Sequence, residues 1–229
     1  MRSWRVSVVI GVRDGERYLG ETLESVTDQS RPVDEVIVVD DGSTDATVPL
    51  ARSFGELVTV VERPPRGPGA ARNTGIAVAT GEVLALCDAD DLWLRAKTER
   101  QLTLIDDPGR AVAVFCGVEE FLSPELDPAD HRGRAPRTHT GPTRLASGLV
   151  ATRAAFDATG PFAEAGGADW FEWCSRLADA VPEVHHHPEV LFRRRLHATN
   201  NSASTGDDPA RARISAVAEH LRRRRESQR

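Results

Sequence analysis

Residues 5–26 read RVSVVIGVRDGERYLGETLESV. The run Arg5–Val12 is rich in Val and Ile and shows no polar alternation, the pattern of a strand buried on both faces of a parallel sheet. A polar turn follows at Arg13–Glu16. Tyr18, Leu19, Thr22, Leu23 and Val26 then recur at three- and four-residue steps, which places them on one face of an amphipathic helix. Arg31-Pro32 ends that helix, because the residue before a proline is driven out of helical geometry.

The same strand–turn–helix unit recurs downstream. Glu35–Val39 predicts a second strand, closed by Asp40-Asp41-Gly42-Ser43, with Asp45 capping a helix through Phe54. Leu57–Val61 reads as a third strand, Pro64–Gly69 as a loop and Gly69–Ala79 as a helix. Val83–Cys87 is a fourth strand, Leu94–Ile105 a helix and Ala111–Gly117 a fifth strand. Parallel strands need such crossovers, so the chain is expected to be α/β, with a Rossmann-like, mostly parallel sheet and helices on both faces. Ligands of such sheets bind at the carboxyl ends of the strands. Here those ends carry Asp40-Asp41 and Asp88-Ala89-Asp90-Asp91.

The second half is less regular. Ser123–Thr143 has no periodicity and reads as a surface loop. Leu145–Ala151 suggests a strand, Arg153–Thr159 a short helix, Asp169–Ala180 a helix and Glu189–Leu196 a strand. Ala198–Asp208 is small and polar. Ala210–Arg225 has helical spacing and ends in four arginines.

Composition narrows the class. A chain of 229 residues suffices for one α/β domain or two small ones. No apolar run reaches the ~20 residues needed to cross a bilayer. The charged opening and short apolar run lack a small-residue cleavage site, so they read as a strand and not a signal peptide. Cys87, Cys116 and Cys174 are far apart and odd in number, which argues for a reducing, cytoplasmic setting over a disulfide scaffold. The formal net charge of -6 argues against nucleic-acid binding. Residues 209–229 nonetheless hold seven Arg and two Glu, so a basic tail follows an acidic body. The Arg222–Arg225 run suits either a solvated helix end or peripheral contact with an anionic membrane.

Three constellations carry chemistry. In Cys87–Asp91, Asp88 and Asp90 can face one small volume at a strand end. Hard cations such as Mg2+ or Mn2+ take oxygen ligands and leave positions open for phosphate; the same residues would also serve as a turn and helix cap. In Val38–Asp45, a carboxylate can accept from a base imide or a ribose hydroxyl, or simply order a βα turn. In GPGAARNTG, residues 67–75, the glycines allow close backbone approach, the helix start favours an anion, and Arg72 offers a fork of donors for phosphate. A dinucleotide fingerprint is absent, since Arg72 stands where its third Gly would be.

Together these stretches, VSVVIGVRDGERYLGETLESVTDQS, VIVVDDGSTDAT and GPGAARNTGIAVATGEVLALCDADD, are very similar to the nucleotide-binding half of family 2 glycosyltransferases over roughly residues 5–105. The resemblance implies a GT-A fold in a single domain, spanning 1–208. Residues 1–105 would bind the nucleotide sugar and 106–208 would form the acceptor half, with 209–229 a basic C-terminal helix or tail. It implies an inverting transferase that uses Mn2+ or Mg2+ and moves a sugar from a nucleoside-diphosphate sugar, UDP first among the candidates, to an unidentified acceptor.

The resemblance also implies roles. Asp41 resembles the family aspartate at the base, with Asp40 the weaker candidate. Arg72 resembles the basic residue beside the nucleotide. Asp88 resembles the first member of the DxD signature, near ribose and metal, and Asp90 its metal-binding member. The loop after the first strand lines the base pocket in the family. Here Val12, Asp14 and Glu16 occupy it, although Gly11, Arg13 and Asp14 depart from the family's Pro, aromatic and Asn.

In the second half, LVATRAAFDATGPF and GGADWFEWCSRL resemble the stretch leading into the catalytic segment. The family Glu is replaced by Ala168, and the Asp is kept as Asp169, the expected general base. Trp170 and Trp173 suit a sugar pocket or the core. FRRRLHATNNS resembles the C-terminal family stretch, which makes His197 a third metal ligand or pyrophosphate contact. His185-His186-His187 reads as structural, because adjacent strand residues point to opposite faces. A homodimer is compatible with this reading. Two alternatives remain: a non-catalytic sugar-nucleotide binder of the same fold, and a sugar nucleotidyltransferase, whose Gly-rich activating loop is missing after the first strand.

Overall fold

The apolar runs of the first half become strands because nearly every residue in them is covered. A computed structural model describes residues 4–126, 135–164 and 169–197. Its elements, in chain order, are β1 (Val6–Val12), α1 (Leu19–Thr27), β2 (Glu35–Asp40), α2 (Thr47–Arg52), β3 (Val58–Glu62), α3 (Pro68–Val78), β4 (Val83–Asp88), β5 (Leu92–Trp93), α4 (Lys97–Leu102), β6 (Val112–Leu122), β7 (Thr138–His139), β8 (Val150–Thr152), α5 (Arg153–Thr159), α6 (Asp169–Ala180) and β9 (Glu183–Leu196).

One nine-stranded sheet runs through the described residues in the order β3-β2-β1-β4-β8-β6-β9-β5, with β7 on β6. Strands β1 to β4 pair in parallel, as do β6 and β9. β8 is antiparallel to both β4 and β6, and β5 is antiparallel to β9. This is the expected mostly parallel α/β sheet in one domain, and it spans both halves of the chain.

Alternation along each strand builds two cores. Val8 and Ile10 of β1, Val36 and Val38 of β2, and Ala85 and Cys87 of β4 point to one face, where Leu19, Leu23 and Val26 of α1 cover them. Val9, Ile37, Val39, Leu84 and Leu86 point to the other, under Ala71 of α3, Phe156 of α5, and Trp173 and Leu177 of α6. With both faces buried, no polar position is needed, which is why the runs read as continuous Val and Ile.

Four expectations are corrected. The helix read as Leu94–Ile105 begins only at Lys97, because Leu92 and Trp93 pair with Arg193 and Phe192 of β9 and the Leu94 N–H donates to the Leu191 carbonyl. Tertiary pairing overrides the helical spacing there. In Leu145–Ala151, Ala146–Gly148 form a 3-10 turn, and the strand is Val150–Thr152. The strand read as Glu189–Leu196 starts at Glu183, because β6 supplies partners along its whole length. The register slips between Cys116 and Gly117, opposite His187 and Val190. Pro188, lying between those two, has no N–H to give the ladder. The segment read as a loop also contains β7; its residues 127–134 lie outside the described residues, as do residues 165–168 and the tail at 198–229.

Candidate active site

The register brings two aspartate motifs to one edge. Val12 of β1 lies beside Asp40, and Gly11 lies beside Asp88, so the ends of β2 and β4 flank the end of β1. The loops that follow are tied to each other. Asp14 takes a positive φ of 51° and its carboxylate accepts from the Thr44 N–H at 2.7 Å, while its own N–H donates to Ser43 Oγ. The Glu16 N–H donates to Asp45, and the Glu16 carboxylate accepts from the Ala46 N–H. The structure thus places Asp14 and Glu16 at the expected edge and engages both in a loop-to-loop clamp.

Asp41 is buried, and its N–H donates to the Val12 carbonyl. Its carboxylate accepts from the N–H groups of Arg66 at 3.0 Å and Gly67 at 2.7 Å and lies 3.4 Å from Arg63. Arg63 Nη1 is buried without a hydrogen bond, held by charge alone. Asp41 therefore anchors the loop that leads into α3. Gly67 ends that loop with φ 95°, a conformation that favours glycine.

The CDADD turn is pinned from beneath by its last member. Asp91 is buried and accepts from Ser147 Oγ at 2.5 Å and from the Arg195 N–H at 3.1 Å. Burial pushes its carboxyl well above the ordinary carboxylate range, and Asp90 and Asp88 push the same way. Ser147 Oγ also accepts from the Asp88 N–H. Arg195, buried itself, donates to the Asp90 carbonyl at 3.1 Å and to Glu21 at 2.6 Å. Asp88 keeps 46% of its side chain accessible, yet the surrounding protein raises its carboxyl by desolvation. Arg72 opposes that rise, and Asp90 adds to it.

Asp90 Oδ2 meets His197 Nε2 at 2.8 Å, and the imidazole lies 4.6 Å from the Tyr18 ring, centroid to centroid. Among the described residues, no three His, Cys, Asp or Glu side chains converge tightly enough to cage a metal ion on their own. Two carboxylates and an imidazole at one strand edge nevertheless form a donor set suited to Mg2+ or Mn2+, ions that complete their coordination with water and phosphate.

Arg72, on α3, reaches two carboxylates at once. Its Nη1 lies 2.7 Å from Asp169 Oδ2, and its Nη2 lies 3.2 Å from Asp88 Oδ1. Asp169 is the first residue of α6. Gly69 allows this meeting of α3 and α6: a Cβ there would stand 2.1 Å from the Ala163 carbonyl oxygen and 3.2 Å from Asp169 Cβ. The guanidinium lies 5.6 Å from the ring centroids of both Phe162 and Trp170. Trp170 is partly exposed and donates to the Arg144 carbonyl. Trp173 is fully buried in the second core and donates to Gly160, so it is a core residue.

Asp14, Glu16, Asp41, Arg72, Asp88, Asp90, Asp169 and His197 thus fall at one edge, while Trp173 and the histidine run lie elsewhere. His185, His186 and His187 lie on β9 against Val114, Phe115 and Cys116. Two residues that hold the CDADD turn carried no distinct signal, Ser147 in a stretch of small residues and Arg195 within a run of three arginines.

The family model described as glycosyl transferase family 2 matches residues 7–160, well over half of the chain. TuaG of Bacillus subtilis, named provisionally as a teichuronic acid biosynthesis glycosyltransferase, is 31% identical over 66% of this chain and 61% of its own length. A Rickettsia typhi protein, named as an uncharacterized glycosyltransferase, is 35% identical over 50% of this chain and 36% of its own. The chain thus spans between about a third and two thirds of these relatives. Among solved structures, S. aureus TarS 1-349 in complex with UDP-GlcNAc superposes with a TM-score of 0.74 at 18% identity, over 94% of this chain and 65% of that one. The mannosyltransferase PcManGT from Pyrobaculum calidifontis, in complex with GDP-Man and Mn2+, superposes at 0.67 with 24% identity, over 96% and 70%. These superpositions establish the GT-A fold. With its aspartate motifs gathered at the carboxyl edge of that fold, the chain belongs to glycosyl transferase family 2.

Proposed function

We propose that this chain is a divalent-cation-dependent, inverting glycosyltransferase that moves a sugar from a nucleoside-diphosphate sugar, UDP first among the donors, to an acceptor hydroxyl. The observation that carries the proposal is Arg72 set between Asp88 and Asp169, because it puts a phosphate-binding fork between a donor-side and an acceptor-side carboxylate. In this reading residues 1–105 bind the nucleotide and 106–208 complete the acceptor side.

Asp169 takes the proton of the acceptor hydroxyl as its oxygen attacks the anomeric carbon, and the bond from that carbon to the diphosphate oxygen breaks with its electron pair leaving on phosphate. A single displacement of this kind inverts configuration. General-base catalysis contributes typically 10²–10⁴-fold. Asp88, Asp90 and His197 would hold Mg2+ or Mn2+, which supplies Lewis-acid neutralisation of the leaving diphosphate when bound. Arg195 and Ser147 keep the DADD turn in place. Asp41 and the clamped loops around Asp14, Glu16 and Val12 shape the base side.

A donor screen tests this directly. Nucleoside-diphosphate release from UDP-, GDP- and dTDP-sugars with Mn2+ or Mg2+ is expected for at least one donor and lost with EDTA. Release that persists in EDTA would remove the metal from the proposal.

A further inference from the structure

Arg72 joins the two sides of the site in a way that affects when the base is available. Its 2.7 Å contact with Asp169 is a charge-assisted hydrogen bond between side chains that are 14% and 9% exposed. Phe162 and Trp170 flank the guanidinium, each ring centroid 5.6 Å away. The bond occupies one lone pair of Oδ2 and holds a cation against the carboxylate that has to accept the acceptor's proton. The second guanidinium nitrogen already reaches toward the donor side, at Asp88.

We propose that Arg72 is a latch on Asp169. In the donor-free protein it masks the base, and a bound nucleoside diphosphate draws the guanidinium to its phosphates and frees the carboxylate. The proposal rests on Asp169 being the base. The phosphates win because the planar fork can meet phosphate bidentately, where it gives each carboxylate only one nitrogen. Arg72 then acts on catalysis as a positioning residue, through Asp169, beside its contact with donor. The base becomes competent only with the donor in place.

Linkage gives the latch a signature. If the donor must pull Arg72 away from Asp169, the ion pair taxes donor affinity, and removing the Asp169 charge lifts that tax. A general loosening of the site would weaken nucleotide binding instead. Loss of a nearby negative charge would strengthen it regardless of Arg72. A double-mutant cycle separates these cases.

The experiment is calorimetric titration of UDP, GDP and dTDP, each with Mg2+, into the full chain. Wild type, Asp169→Asn, Arg72→Gln and the double variant are compared, with Asp169→Ser replacing Asn if Asn fails to fold. At least one nucleotide is expected to bind Asp169→Asn about fivefold or more tighter than wild type, the lower end of ordinary site-to-site coupling. In the Arg72→Gln background the same change is expected to leave affinity unaltered. Equal or weaker binding by Asp169→Asn overturns the latch, as does the same gain with and without Arg72. Binding of none of the three to wild type overturns the proposed function and the latch with it.

Discussion

Asp90 and His197 stand 107 residues apart in the chain and meet at 2.8 Å beside Tyr18. One lies in the turn after β4 and the other follows β9, so the contact joins the two halves of the sheet at the edge where the proposed donor diphosphate would lie. Either side chain alone is a weak ligand. Together with Asp88 they offer the mixed oxygen and nitrogen set that Mn2+ accepts.

His197→Ala is therefore expected to lower Mn2+ affinity by at least about 10-fold, the loss that follows even when a residue that only supports a metal ligand is removed. A Mn2+ titration followed by electron paramagnetic resonance reads this, and excess Mn2+ should restore part of the turnover. Unchanged Mn2+ affinity would place His197 outside the metal site.

Lys97 gives a pH prediction that is independent of the active site. It is fully buried, donates to Gln101 at 2.7 Å and lies 4.0 Å over the Trp93 ring. Burial pushes its amine down from 10.5 to about 8, with Cys116 and Cys87 opposing. Between those values the unfolded chain keeps a proton that the folded chain has released. Stability therefore rises with pH across that window, and the cost of burying the charge is fully present below about 8. Relative to Lys97→Met, the wild type should gain about 2 kcal/mol between pH 7.5 and 9.5, read by urea unfolding. A flat difference would mean that the amine titrates normally.

Gly69→Ala tests the junction of α3 and α6. The added Cβ would meet the Ala163 carbonyl oxygen at 2.1 Å, a backbone atom that cannot swing away. A loss of about 1–3 kcal/mol in unfolding free energy is expected, as for other overpacked sites. Donor turnover should fall further than stability alone explains, since the same shift moves Asp169. Wild-type stability and turnover together would show that the two helices are not held this closely.

Much of the fold was legible because β1, β2 and β4 are buried on both faces, so their Val and Ile runs carry no competing signal. β5 was not legible, because Leu92 and Trp93 are a strand only through Arg193 and Phe192, far along the chain. The start of β9 was hidden for the same reason, its histidines giving no alternation of their own. In the site, Arg72, Asp88, Asp90, Asp169 and His197 each stood out by residue type and motif. Their pairings did not, since the meeting of Arg72 with Asp169 depends on how closely α3 approaches α6. The clamp that engages Asp14 and Glu16 was likewise invisible, because its partners are backbone N–H groups of another loop.

The most direct test of the central claim compares donor turnover by wild type, Asp169→Asn and Asp90→Ala in the presence of Mn2+, with an acceptor set wide enough to give wild-type transfer. The account predicts that both variants stay folded and transfer sugar at no more than about a hundredth of the wild-type rate, the smallest loss expected for removal of a general base. Wild-type turnover by Asp169→Asn would contradict it, by placing the base elsewhere.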